Sequence, residues 1–359
     1  MFVIVSVSII ALFLAFLESN RNLKHGLLLG FLLITIVGAI RYNYGTDYIG
    51  YSEDFKNAGS YQISDFFYFK DAIKDFGWSI LMKIFQPLGF FSFVAFITFL
   101  SNYIFYRFIK ENVEREDYWL AMFLYLFTFD MYVLQFSMLR QGLVIALFVW
   151  SYHFIKKKKY ILPIILTLLS ISFHKSSIII VPFLFLGMVP LKNGRLISIT
   201  LLALFLVFFI SRNFINDLLN SVIQLDLLST YQSDYMQEGG TGIGVRAILS
   251  YIPFLVSIYY FWDKKTVNGP RYLVLLSMIG TLIAPFTTIV FMISRVGYYF
   301  DIFTIASVPI VYKHINNKII RIFLLLILMV ITIYVYFDRF TNSIYTNSIS
   351  QFHTIFSAL

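Results

Sequence analysis

Long apolar runs alternate with short polar clusters along the whole chain, and most of the runs are too long to be strands. They fall at about 1–17, 26–40, 89–107, 118–136, 139–155, 160–173, 176–190, 196–211, 246–262, 272–293, 297–312 and 319–337. Each is read as a membrane-crossing helix, because backbone N–H and C=O groups in lipid must find partners within their own segment. A transmembrane barrel would show segments of about ten residues with alternating polarity, and none is visible. The pattern therefore predicts an all-α, polytopic membrane protein with about 12 transmembrane helices. No internal repeat is evident, so residues 1–359 are read as a single integral membrane domain, with 41–88 and 212–245 as its large loops. Within the first loop, Phe76–Phe85 carries Trp78, Ile80, Leu81 and Ile84 among polar neighbours, which predicts an amphipathic helix lying along the interface.

The stretch 160–190 is divided by His174 and Lys175 into two runs of about 14 residues, each about 21 Å long as helix against a hydrocarbon core of about 30 Å. A single long helix there would move every later connection to the other side of the membrane. A short hairpin is expected instead, with His174 at an outward corner recessed between longer helices, a natural place for a pocket.

Composition sharpens this picture. The 359 residues are 59% hydrophobic and 13% charged, with a mean hydropathy of +0.79; a water-soluble domain is nearer a quarter charged. There are no cysteines, which excludes disulfides, thiolate catalysis and cysteine-ligated metals. The net charge of +9 is assigned to the orientation of loops rather than to nucleic acid. Taking the spans in order, one side collects Arg21, Lys24, Arg107, Lys110, Arg115, Lys156 to Lys159, Lys192, Arg195, Lys264, Lys265, Arg271, Lys313, Lys318 and Arg321. That basic side is expected to be cytoplasmic, which puts both termini and both large loops outside. Met1 leads straight into an apolar run without a basic start, so no cleavable signal peptide is expected.

Charged groups at or inside a span are costly unless they pair or line a wet cavity, and so mark candidate sites. On the outer side these are Arg41, Arg140 with Gln141, His174, Arg246 after a glycine-rich stretch, and Arg295; Asp130 and Asp301 lie deeper and are read as partners for arginines. Four arginines at the ends of different spans suit one large anionic ligand, because guanidinium forks hold phosphate oxygens bidentately. Tyrosines and Trp78 nearby suit sugar rings. The acids from Glu111 to Asp117 read as a solvated charge run. No spacing for metal-dependent or serine hydrolysis occurs.

The segment RYNYGTDYIGY, residues 41–51, gathers an arginine, an aspartate and four tyrosines directly after a span, and the backbone is expected to turn sharply at Gly45 and Gly50. With Arg41, Gly45, Thr46, Asp47, Tyr48 and Tyr51 in that segment, Leu139 to Gly142 (LRQG), Phe173 to Ser176 (FHKS), and Arg295, Tyr298 and Tyr299, the chain resembles the EpsG family of bacterial exopolysaccharide and capsule polymerases, which are Wzy-like. The resemblance covers roughly residues 41–300. At DFGW, this chain has Asp75 where the family often has a glutamate. The resemblance implies a GT-C-like helical membrane domain in the bacterial cytoplasmic membrane. Its implied activity joins undecaprenyl-pyrophosphate-linked oligosaccharide repeat units on the outer face, as a metal-independent glycosyltransferase. The lipid-linked sugar is then the substrate and no cofactor is needed; partners would be membrane lipids, and a chain-length regulator and a flippase of the same pathway, with no nucleic acid.

On that reading Arg140 and Arg295 hold the diphosphate, and Asp47 or His174 takes the acceptor proton. Arg41, Gln141, Arg246, Tyr51, Tyr298 and Tyr299 line the substrate. Two other readings stay open. A flippase for the lipid-linked unit would need charges along a path through the membrane. A membrane acyl- or sugar-modifying transferase would need its catalytic groups toward a cytoplasmic donor.

Overall fold

The computed structural model describes residues 1–62, 75–128, 131–223, 245–263, 266, 269–287, 291–341 and 351–357. Helices account for nearly all of them. The first half contains α1 (Phe2–Ser19), α2 (Gly26–Ala39), α3 (Tyr48–Ser60), α4 (Phe76–Phe85), α5 (Gly89–Asn112), α6 (Tyr118–Phe127), α7 (Met131–Ser137), α8 (Leu139–Lys156) and α9 (Ile161–Phe173). A 3₁₀ turn (Lys175–Ile180) leads into α10 (Val181–Leu186). The second half contains α11 (Gly194–Ile223), α12 (Val245–Trp262), α13 (Arg271–Thr287), α14 (Phe291–Asp301), α15 (Thr304–Lys313) and α16 (Lys318–Thr341). Strand β1 (Arg41–Tyr42) pairs antiparallel with β2 (His353–Thr354).

Among the described residues four segments are long and apolar enough to cross a membrane: Phe2–Ser19, Phe76–Asn112, Gly194–Ser211 and Lys318–Asp338. A fifth is added if α6 and α7, bent by 54° at their junction, form one broken span. Large apolar side chains stand exposed along these helices, among them Ile9 and Phe13 on α1, Val207 and Ile210 on α11, and Phe323 and Val330 on α16. In water each would forfeit about 1.5–3 kcal/mol of burial, so the chain is a membrane protein whose helix faces meet lipid.

The chain forms two compact units, Met1–Met188 with Tyr336–Leu359, and Val189–Val335. In the first, the basic connections are tied together at one end. Arg115 donates to the carbonyls of Glu18 (3.0 Å) and Leu23 (3.2 Å), Arg21 pairs with Glu116, and Lys156 reaches Asn112 (2.9 Å). In the second, Arg271 is the clasp: its Nη1 donates to the carbonyls of Leu191 and Lys192, both at 2.8 Å, and its Nη2 to Thr266 Oγ1 at 3.0 Å. His314 Nε2 and Asp263 Oδ2 add a contact at 2.8 Å.

Three sequence expectations change. The helix predicted to break between 293 and 297 runs unbroken over Phe291–Asp301, and the chain turns after it, before Thr304. A lone Gly297 costs a helix only about 1 kcal/mol, and Ser294 and Arg295 are no barrier to it. Arg295 therefore sits inside a helix, not at its end. Gly50, expected to turn the chain, lies within α3, and a β-carbon added there would meet open space. Finally α11 continues to Ile223, so the start of the predicted 212–245 loop is helical. The remaining glycine-rich part of that loop, and Asp130, fall outside the described residues.

Candidate functional site

The 41–51 segment is docked on the junction of α7 and α8. Gly45 has φ +114°, and a β-carbon there would lie 2.1 Å from the Phe136 carbonyl oxygen, so only glycine fits. The next N–H, of Thr46, donates to Ser137 Oγ at 3.2 Å, and Asp47 occupies the N-cap of α3. One turn into α3, Tyr51 is buried with its ring under the Arg140 guanidinium, 5.7 Å from centroid to Cζ. Burial pushes the Tyr51 phenol up from its ordinary value, against the opposing pull of Arg140, so it stays a neutral hydrogen-bonding group.

Arg140 is the second residue of α8, one-fifth exposed. Its Nη1 donates to Asp75 Oδ2 at 2.7 Å. Asp75 is 7% exposed and sits at the N-cap of α4, but its side chain makes no capping bond to its own helix. Instead Oδ1 accepts the backbone N–H of Lys175 at 3.2 Å, and Oδ2 lies 3.8 Å from His174 Nδ1. A single carboxylate thus joins α4, α8 and the corner after α9. The helix break at His174 is where the sequence placed it, between α9 and the 3₁₀ turn. Gly77 lets α4 lie directly on α9: a β-carbon would meet Ser172 Oγ at 2.2 Å and Ser172 Cβ at 2.8 Å. Trp78, 2% exposed, fills the space below, packed on Tyr51, Phe93 and Phe173. Asp54, on α3, places a further negative charge near Arg140.

The structure therefore brings Arg140, His174 and Tyr51 together, with Asp47 exposed at the start of the same helix as Tyr51 and Gln141 buried next to Arg140. Arg41 is placed differently. It is fully buried, its Nη1 donating to the Gly38 carbonyl and to Thr98 Oγ1 (3.3 Å), its Nη2 to the Gln135 carbonyl (3.5 Å). Its guanidinium lies over Phe136, sealed by side chains rather than lining an opening. The tyrosines of the segment are also mostly interior: Tyr44 stands edge-on to Phe136 and Phe352, and Tyr48 donates to the Arg41 carbonyl. Of the four only Tyr42 is exposed, so these rings stiffen the segment rather than present their faces.

The other candidates belong to the second unit. Arg246 follows the first residue of α12, and its side chain lies outside the description. Arg295 is half-buried in α14, and Tyr298 and Tyr299 are buried in the packing of that helix. Asp301 closes α14 against Gly280, whose missing side chain leaves room for the carboxylate.

The sequence pattern assigns Asp75 no role; its signal is a carboxylate immediately before an amphipathic helix. Glu111, read as part of a solvated run, is instead a clasp at the opposite, basic end of the unit. It holds Arg107 and the His153 ring together beside a cavity of about 100 Å³ also lined by Tyr103 and Trp150. Among the described residues no three His, Asp or Glu side chains converge as a metal-ligand set.

The family model described as the EpsG family matches residues 24–353, nearly the whole chain. No curated protein and no solved structure matches it.

Proposed function

Because the chain belongs to the EpsG family, a family of Wzy-like polymerases, we propose that it is a glycosyltransferase joining undecaprenyl-pyrophosphate-linked repeat units on the outer face of the bacterial cytoplasmic membrane. On this reading the chain crosses the membrane about 12 times as a GT-C-like membrane domain, with both termini outside. The observation that carries the reading is Arg140, a partly exposed guanidinium held at a helix start by Asp75, with His174 near the same carboxylate oxygen.

At an anomeric carbon, the departing diphosphate gathers negative charge in the transition state. Guanidiniums placed beforehand stabilise that charge without reorganising, which is the largest catalytic contribution expected here. Arg140 takes this role in the first unit and Arg295 in the second, with Arg246 assisting. His174 or Asp47 accepts the proton of the acceptor hydroxyl. Arg41 supports the site by holding α2, α5 and α7 together.

Arg140→Ala and Arg295→Ala are expected to leave the protein in the membrane while single repeat units accumulate on lipid. Polymer of normal length from both would remove the diphosphate role. Arg140→Lys keeps a charge facing Asp75 but loses the fork, and is expected to restore roughly a tenth of polymer or less; full restoration would show that charge alone suffices.

A further inference from the structure

Asp75 Oδ2 is shared unequally between two groups. It makes a short charged hydrogen bond with Arg140 and stands 3.8 Å from His174 Nδ1. Its other oxygen is anchored on the Lys175 N–H, the residue next to His174. With Oδ1 fixed, a rotation that moves Oδ2 by about 1 Å would bring it within ordinary hydrogen-bond distance of His174. Arg140 and His174 therefore compete for one oxygen. The other groups around this pair are Tyr51 and Asp54 on α3, Asp47 at its N-cap, and Lys175 beside His174.

We propose that Asp75 is a positioning residue that couples donor binding to the base. The inference rests on the polymerase reading above. A diphosphate oxygen that takes Nη1 of Arg140 displaces the carboxylate, which then receives the Nδ1–H of His174. That fixes the ring with Nε2 as the free acceptor, the protonation state a base needs. The acceptor hydroxyl gives its proton to Nε2 as its oxygen bonds to the anomeric carbon. The bond from that carbon to the diphosphate oxygen breaks, and its electron pair leaves with the lipid diphosphate. The histidinium is held by Asp75 until its proton passes to water. The acceptor is deprotonated only when a donor is seated, so His174 is oriented for proton abstraction only in the productive complex.

The test is Asp75→Asn, in which the amide oxygen still accepts the Lys175 N–H but the negative charge is gone. Inorganic pyrophosphate binding to the purified full chain is expected to tighten roughly three- to tenfold, because Arg140 loses a competing anion. With lipid-linked repeat units, kcat is expected to fall about tenfold or more while the donor KM falls or stays level. Damage to the fold would instead raise KM as kcat fell. Asp75→Glu, which restores the charge, is expected to recover turnover in part. Pyrophosphate binding no tighter in Asp75→Asn than in the wild type, or an unchanged kcat, overturns the coupling. A wild-type chain that forms no polymer overturns the functional reading, and the pyrophosphate comparison then still decides whether Asp75 competes for Arg140.

Discussion

Arg41 and Arg140 show how little a residue type says without its surroundings. Arg41 ends one apolar run, Arg140 begins another, and both read as phosphate ligands. Arg41 is enclosed, and its two Nη groups donate to carbonyls of α2 and α7 and to Thr98 of α5, because a buried guanidinium without acceptors would be prohibitively costly. Arg140 keeps one face exposed and meets a carboxylate. Gly45 matters for the same geometric reason, since it lets the motif approach the α7–α8 junction on which Arg140 is mounted. Gly45→Ala is expected to lose about 1–3 kcal/mol from its backbone conformation alone, with more from the contact with Phe136. The measurement is the thermal unfolding midpoint in detergent, and an unchanged midpoint would show that the segment is not docked as described.

At the scale of elements, α4 sets the site. Its bounds, Phe76–Phe85, coincide with the amphipathic helix expected from the sequence. Its inward stripe does not: Trp78, Ser79 and Met82 are buried while Ile84 is 64% exposed. Where one face meets protein and the other lipid, both surroundings are apolar, so hydrophobicity alone does not say which face turns inward. Two contacts hold α4 on α3, Lys83 to the Gly59 carbonyl at 2.6 Å and Gln86 to the Phe55 carbonyl, and the close approach at Gly77 holds it on α9. Gly77→Ala is expected to push α4 off α9, carrying Asp75 away from His174 and Lys175, and to abolish most polymer formation. Adding Ser172→Gly removes both atoms that the new methyl meets most closely and is expected to restore part of it. Equal activity in Gly77→Ala and wild type would show that α4 can shift without consequence.

For the whole molecule, the charge pattern predicts which connections share a side. In the first unit, the connections carrying Arg21, Arg115 and Lys156 are joined by hydrogen bonds. Asp75, Arg140 and Lys175 meet in a separate cluster, and β2 lies against β1 at the head of the 41–51 segment. The absence of native cysteine makes the sidedness directly measurable. Lys56→Cys, exposed on α3, is expected to react with an impermeant maleimide in intact cells. Lys159→Cys, in the basic turn, is expected to react only after permeabilisation. The reverse pattern would invert the topology and place the site on the cytoplasmic side.

The sequence by itself determined the membrane class, most helix bounds, the break at His174 and the grouping of basic connections within each unit. Each of these follows from local rules, namely transfer of apolar side chains to lipid, backbone satisfaction within a segment, and the cost of charge in hydrocarbon. It also singled out Arg140, His174 and Tyr51, which sit in one cluster. Only the tertiary structure decided that Asp75 is their common partner and that Arg41 is sealed away. Those facts depend on which side chain reaches an acceptor across elements some 65 to 100 residues apart. A linear pattern of polarity marks a charge that must be satisfied in the membrane, whereas three-dimensional packing selects the atom that satisfies it.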